Sequence, residues 1–194
     1  MARPQIFNED IVIDKALDIF WQKGFSGAST RDLINAVGIS NGSFFNSFGD
    51  KKTLYLRCLQ KYDAVYIAAL ETLLNKPLGF KEKIKKVLLE ATKKSPGKDA
   101  YEGCFFFNTS IDSNVDDPDI LGLADNIHKR IEKAFVSAID MAKEANEIST
   151  DIKSTQLAQY LFNIVNGLRT LLLSSPPQST ISNIINTTLD LLPS

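Results

Sequence analysis

A chain of 194 residues with 44% apolar and 23% charged side chains has the composition of a soluble globular protein, with enough length for one sizeable core or a small module on a larger one. No run approaches the ~18 consecutive apolar residues of a membrane helix, and the start turns acidic at Glu9-Asp10 where an export signal turns apolar, so a cytoplasmic location is expected. The net charge of −1 excludes a grossly basic nucleic-acid binder.

Helical periodicity runs through almost the whole chain. Asn8 caps a first helix with Ile13, Ala16, Leu17 and Phe20 on one face and Gly24 as its stop, after which Phe25 folds back into the core. Ser29 caps a short second helix ending at Gly38, with Asp32 completing a shortened capping box. Ser40 caps a short third helix, and Gly49-Asp50 closes it and caps a fourth. Beyond Lys51 the helices lengthen. Leu54, Leu56, Leu59, Tyr62, Tyr66, Ala69, Leu70 and Leu73 predict a long one, ended by Asn75 to Gly79. Ile84, Val87, Leu88 and Ala91 mark the next, stopped by Ser95-Pro96-Gly97.

Periodicity does not settle the apolar stretch from Tyr101 to Ile111; its helical surroundings favour a short buried helix. Asp116-Asp117-Pro118 opens a long helix with Ile120, Ala124, Ile127, Ile131, Ala134, Ala138 and Ala142 on one face. Leu157, Tyr160, Leu161, Ile164, Val165, Leu168, Leu171 and Leu172 hold the 3-4 stripe over four turns, and Ile181, Ile184, Ile185, Leu189 and Leu192 rebuild it after Pro176-Pro177. The fold expected is all-α. A three-helix module spans 1–50, and a helical bundle spans 51–194 and ends in an αα-hairpin.

The second and third helices have the pattern of a helix-turn-helix. Leu33, Val37, Ile39 and Phe44 stand where the helices cross, and Gly38 tolerates positive φ in the turn. The polar face left on the third helix is Asn41, Gly42, Ser43, Asn46 and Ser47, short groups of the kind that reach base edges in a major groove. Arg31, Lys51 and Lys52 flank it. Residues 1–52 nonetheless balance six bases (Arg3, Lys15, Lys23, Arg31, Lys51, Lys52) with six acids (Glu9, Asp10, Asp14, Asp18, Asp32, Asp50), so position must do what gross charge does not.

Three runs carry a resemblance: Ala16-Leu-Asp-Ile-Phe-Trp-Gln-Lys-Gly-Phe, Ser29-Thr-Arg-Asp-Leu, and Val37-Gly-Ile-Ser-Asn-Gly-Ser-Phe-Phe-Asn-Ser-Phe-Gly-Asp-Lys-Lys-Thr-Leu. Together they resemble the N-terminal domain of TetR/AcrR-type regulators over about 50 residues, and Gly103-Cys-Phe-Phe-Phe-Asn is similar to a segment of one subset of that family. The resemblance implies about nine helices in an Ω-shaped homodimer, with two recognition helices meeting successive major grooves of a palindrome. It places Thr30, Ser43, Phe45 and Lys51 at DNA-contacting positions, beside Arg31, Asn41, Gly42 and Asn46 from the face above. Phe45 stands where the family usually has a phosphate-reaching tyrosine, and Asn41 where lysine is frequent; both point to modest affinity and a shallow salt slope. Ile34 stands at a position where a small side chain is common.

Other chemistry is thinner. Gly38-Ile-Ser-Asn-Gly matches a nucleophile elbow, but that motif needs a preceding strand, and the lone His128 would have to be its base. Cys58 and Cys104 have no zinc-site spacing, and neither a metal nor a cofactor is expected. The N-x-S/T sequons at Asn41, Asn108 and Asn186 carry no meaning without an export signal. Candidate lining for an apolar effector pocket is Tyr62, Tyr66, Tyr101, Cys104, Phe107, Asn108, His128, Tyr160 and Asn163. A four-helix dimer interface is expected from Leu161, Ile164, Leu168, Leu172, Ile181, Ile185 and Leu189, with Gly167 allowing close approach. The function expected is a repressor released from double-stranded operator DNA by a small apolar or aromatic inducer. The alternatives are a redox or electrophile sensor acting through Cys104, and a helical enzyme or interaction protein with a vestigial DNA-binding module.

Overall fold

A computed structural model describes residues 7–95, 98–112 and 115–193. The Pro96-Gly97 stop and Arg3 lie outside the described residues. Those described contain helices and no strand: α1 (Glu9–Gly27), α2 (Thr30–Val37), α3 (Asn41–Phe48), α4 (Lys51–Tyr62), a π-turn (Asp63–Ile67), α5 (Ala68–Leu74), α6 (Phe80–Ala91), α7 (Phe105–Ile111), α8 (Pro118–Glu144), α9 (Ser154–Leu172) and α10 (Gln178–Asp190). With α4, the π-turn and α5 taken as one continuous rod, the helical rods among the described residues number nine.

By packing, the chain divides into two compact units. One comprises residues 1–65 with 105–126, the other 66–104 with 127–194. The first includes α4 and α7, which a boundary at residue 50 would assign to the second. The division falls inside the π-turn and inside α8, so both of those elements pass from one unit to the other.

In the first unit α1 packs on α2, α4 and α7, burying Val12, Ala16, Leu17, Phe20 and Trp21. Gly24 interrupts α1 rather than ending it: its φ of 70° and ψ of 174° let one more turn follow, and Phe25 folds back on Phe20 and Tyr55. A Cβ at Gly24 would also press on Asp112 Oδ2 at 3.3 Å. Phe105 fills the groove between α1 and α4, with ring centroids 5.7 Å from Trp21, 5.4 Å from Tyr55 and 5.8 Å from Tyr62. The two edge-on pairs, with Tyr55 and Tyr62, add ~0.5–1.5 kcal/mol each beyond area burial. Thr109 Oγ1 gives its proton to the Phe105 carbonyl, so the Tyr55 hydroxyl donates to Thr109 at 2.7 Å and fastens α7 to α4. Burial pushes that phenol up to about 12.

The long-helix stripe needs one correction. Leu54, Tyr55, Cys58, Leu59 and Tyr62 are buried at ordinary helical spacing, but the next buried side chain is Ile67, five positions on, and then Leu74. The π-turn inserts one residue into the helical repeat, rotating Tyr66 to a half-buried position and Ala69 to an exposed one.

In the second unit α6 is the central element, packed by α5, α9 and α10. Its stripe of Phe80, Ile84, Val87, Leu88 and Ala91 meets Leu157, Ala158, Leu161, Leu168 and Leu172 from α9 and Ile181, Ile185 and Leu189 from α10. Six of the seven side chains expected to face a partner chain are therefore inside one chain: Leu161, Leu168, Leu172, Ile181, Ile185 and Leu189 are 1–6% exposed, and Ile164 is half-buried. The physical reason is α6, which gives both stripes a surface within the same chain. Arg130 of α8 grips Glu71 of α5 with two hydrogen bonds of 2.6 and 2.5 Å, which holds the Glu71 carboxyl below its ordinary range. Phe135, absent from the predicted α8 face, is 1% exposed.

Candidate nucleic-acid interface

The helices α2 and α3 are eight residues each, too short to persist alone in water, so local bonds must define their ends. The Asp32 N–H donates to Ser29 Oγ and the Ser29 N–H to Asp32 Oδ2, both at 3.1 Å. These bonds, with Lys23 3.1 Å from the same oxygen, hold the Asp32 carboxyl below the usual range. Gly38 closes α2 with φ 74° and ψ 31°, the left-handed conformation that costs a side chain most. The Ser43 N–H donates to Ser40 Oγ at 3.1 Å, and Ser40 Oγ donates to Ser43 Oγ at 2.9 Å. Asp50 Oδ1 accepts from the Thr53 N–H at 2.7 Å to begin α4. Ser40 thus serves as a cap between two helices; no strand precedes it, and the nucleophile-elbow reading falls.

Phe44 and Phe48 anchor one side of α3 in the core at 0% and 1% exposure, with Phe7 6.2 Å from Phe48. The opposite side exposes Asn41, Gly42, Phe45, Asn46 and Gly49, which at 3.6 residues per turn lie within about 140° of arc. Ser43 is half-buried beside this face, as is Thr30 at the start of α2; Arg31 is exposed. Lys51 lies with its ammonium 4.5 Å from the centre of the Phe25 ring, where burial pulls its pKa below the ordinary lysine value. All eight residues proposed for DNA contact are thus exposed or half-buried on α2, α3 and the first turn of α4.

The balanced charge is resolved by position. Glu9 pairs with Arg57 at 3.0 Å, Asp14 with Lys61 at 2.7 Å, and Asp32 and Asp50 cap helices. Lys52, expected to flank the reading face, is turned to Asp117 and Asp119 at 2.8 and 2.6 Å, which raises its pKa. Within α3 itself there is no charge.

The effector-pocket candidates are divided between the two units. Tyr62, Phe107 and Asn108 belong to the first unit, and Tyr66, Tyr101, Cys104, His128, Tyr160 and Asn163 to the second. Tyr62 is a core residue edge-on to Trp21. His128, Tyr160 and Asn163 are exposed, with the His128 ring stacked on Phe162 at 5.0 Å. Tyr101 sits under Lys94. Cys104 is 6% exposed, whereas a reactive thiol needs access; Cys58 is buried and its thiol is pushed up by burial. An open cleft of about 220 Å³ near Gly79, Phe80, Glu147 and Leu192 falls below the ~300 Å³ at which ligand pockets begin. A further buried amide, absent from these candidates, is Asn166. It is 5% exposed, its Nδ2 donates to the Phe162 carbonyl at 3.1 Å, and its Oδ1 has no hydrogen-bond partner among the described residues. Three positions from Asn163, it falls on the inner side of α9, a difference the helical repeat contains but an amide count does not.

Among the described residues no helix is long and apolar enough to cross a membrane, and no cluster of three or more His, Cys, Asp and Glu side chains is placed to hold a metal ion.

Residues 12–58 match the model for bacterial regulatory proteins of the tetR family, and residues 81–176 match the tetracyclin repressor-like C-terminal domain. An uncharacterised HTH-type transcriptional regulator of Bacillus subtilis (strain 168), YezE, is 28% identical over 83% of this chain and 84% of its own. The HTH-type transcriptional repressor ComR of Escherichia coli (strain K12) is 26% identical over 99% of this chain and 92% of its own. In fold, the chain is similar to a cysteine-substituted TetR family transcriptional regulator, CifR, solved with 26-base-pair double-strand operator DNA. That likeness has a TM-score of 0.84 at 19% identity and covers 99% of this chain and 100% of the other. With both halves matched in order and the helix-turn-helix in place, the chain belongs to the tetR family of bacterial regulatory proteins.

Proposed function

We propose that the chain represses transcription by holding a palindromic operator as a homodimer and letting go when a small apolar or aromatic effector binds its second unit. The observation that carries this is the exposed stripe Asn41, Gly42, Phe45 and Asn46 on α3, flanked by Arg31 and Lys51 and backed by fully buried Phe44 and Phe48. A short helix anchored on one side and offering short hydrogen-bonding groups on the other suits a major groove. Titration of the full chain onto its own upstream DNA at several salt concentrations tests it: a specific shift with a shallow salt slope is expected, and no shift at any salt overturns the reading.

The dimer uses the outward faces of α9 and α10. Gln156, Gln159, Tyr160, Asn163, Gly167 and Thr170 on α9, and Ser179, Ser182, Asn183, Asn186 and Thr187 on α10, are exposed and uncharged. The exposed faces of α6 (Lys81, Glu82, Lys85, Lys86) and α8 (Asp125, Lys129, Lys133) are highly charged. Depletion of charge is what distinguishes the centre of an interface from other surface. A Cβ at Gly167 would meet nothing within 4 Å inside the chain, so the residue is available for close approach by a second copy. Light scattering at micromolar concentration is expected to give a dimer, and Gly167→Glu a monomer; a monomeric wild type overturns this.

Effector binding acts through the continuous α4–π–α5 rod, which begins at Lys51 beside the reading face and continues into the second unit. Asn166 replaces Asn163 as the amide anchor, its unmatched Oδ1 suited to a donor on an otherwise apolar molecule. The effector must bind the DNA-incompetent state more tightly than the competent one. This reading gives the chain no catalytic role.

A further inference from the structure

We infer that α3 reads an A·T-dominated half-site, with thymine methyl groups against Phe45 and in the hollow at Gly42, and adenine edges opposite Asn46 and Asn41. The inference rests on the operator-binding reading above and adds base identity to it.

Gly42 is the first indication. It lies within an ordinary helix, where glycine is less favourable than any residue but proline. Its φ is not positive, and a Cβ there would meet nothing within 4 Å. Neither backbone conformation nor internal packing asks for glycine, so the space it leaves open is matched to something outside the chain. Phe45 is the second. It is 51% exposed on the same face, and its ring is set edge-on to the buried Phe44 at 5.4 Å. The apolar group that a base pair presents in the major groove is the C5-methyl of thymine. An exposed phenyl beside a hollow of about methyl size is shaped for that group. It lacks the hydroxyl that would make it a phosphate contact.

The remaining exposed side chains on this face are amides. Asparagine pairs bidentately with the N6 and N7 of adenine, whereas guanine is read by arginine or lysine and cytosine by a carboxylate. No residue from Asn41 to Phe48 carries charge of either sign. A guanine in the half-site therefore falls to Arg31, which is on α2.

Selection of randomised duplexes by the full-length chain, followed by titration on the selected site, tests the inference. Contiguous A·T pairs are expected in each half-site. Replacing thymine with deoxyuridine removes the methyl group alone, and is expected to weaken the wild type about fourfold per contacted methyl; in Phe45→Ala the effect is expected to vanish at the thymine facing Phe45 and to persist at the one facing Gly42. Asn46→Ala is expected to relax the adenine preference about tenfold. Gly42→Ala is expected to melt at a higher temperature than the wild type yet bind the site about tenfold more weakly, and its melting curve separates lost recognition from lost folding. Half-sites dominated by G·C pairs, equal affinity for thymine and deoxyuridine, or unimpaired binding by Gly42→Ala each overturn the inference while operator binding stands. Failure to enrich any duplex overturns the operator reading itself.

Discussion

In the first unit α1, α2, α3 and α4 each begin on a side chain that accepts a backbone N–H (Asn8, Ser29, Ser40 and Asp50), whereas α5, α6, α9 and α10 begin at Ile67, Gly79, Lys153 and Pro177 with no such bond. The difference follows from what each unit must do. Eight-residue helices have few turns to bury and must be set at fixed angles to present α3, so their ends are fixed locally. The longer α6 and α9 draw definition from stripes of buried side chains, and α6 takes its end bond from afar, with the Phe80 N–H donating to Glu147 Oε2 at 2.5 Å. Local bonds thus define the ends of the reading head's helices, and distributed packing those of the second unit.

The comparison breaks most severely at Phe105. This ring is 1% exposed between α1 and α4, so the capped helices still depend on one shared apolar plug. Phe105→Ala is expected to cost about 3–5 kcal/mol in denaturant unfolding. A loss under about 1 kcal/mol would mean that the caps alone hold the first unit.

Removing caps sharpens the contrast directly. Ser29→Ala and Asp50→Ala are each expected to cost about 1 kcal/mol, and to weaken DNA binding because they loosen the starts of α2 and α4. Lys153→Ala, at the corresponding position of α9, is expected to stay within about 0.5 kcal/mol. Thermal unfolding of the three variants decides it; equal losses would erase the distinction between the units.

The same distinction governs what was legible in the sequence. Each end of α2 and α3 was readable because capping is chemistry between residues three or four apart: Ser29 with Asp32, Ser40 with Ser43, Gly38 with its left-handed φ. The face of α3 followed from those ends. In the second unit the stripes were readable, but not what they meet. Leu161 and Ile181 have the same pattern whether the partner is α6 or another chain, and only the tertiary arrangement chose α6. The half-buried Tyr66 and exposed Ala69 have a related cause. A π-turn that adds one residue to the repeat re-aims the side chains that follow Tyr62 on the same rod, and neither composition nor periodicity marks where it occurs.

The smallest effect tests whether the cap at Asp50 works by geometry or by charge. Its carboxyl is held below the ordinary aspartate value of 3.8, first by the Thr53 N–H and secondarily by Lys52. A folded-state pKa lower than the unfolded one contributes stability that is complete above the unfolded value and is lost as pH falls through the folded one. Asp50→Asn keeps an oxygen able to accept the Thr53 N–H, and asparagine caps about as well as aspartate. Near neutral pH the variant is therefore expected to unfold within about 0.5 kcal/mol of the wild type. As pH falls through 3.8 toward the folded-state value the wild type should lose stability more steeply than the variant, because unfolding there takes up protons on the Asp50 carboxylate that an asparagine cannot bind. Urea midpoints measured between neutral pH and the acid limb separate the two. Parallel curves would assign the cap to hydrogen-bond geometry alone, with the charge of Asp50 contributing nothing to the start of α4.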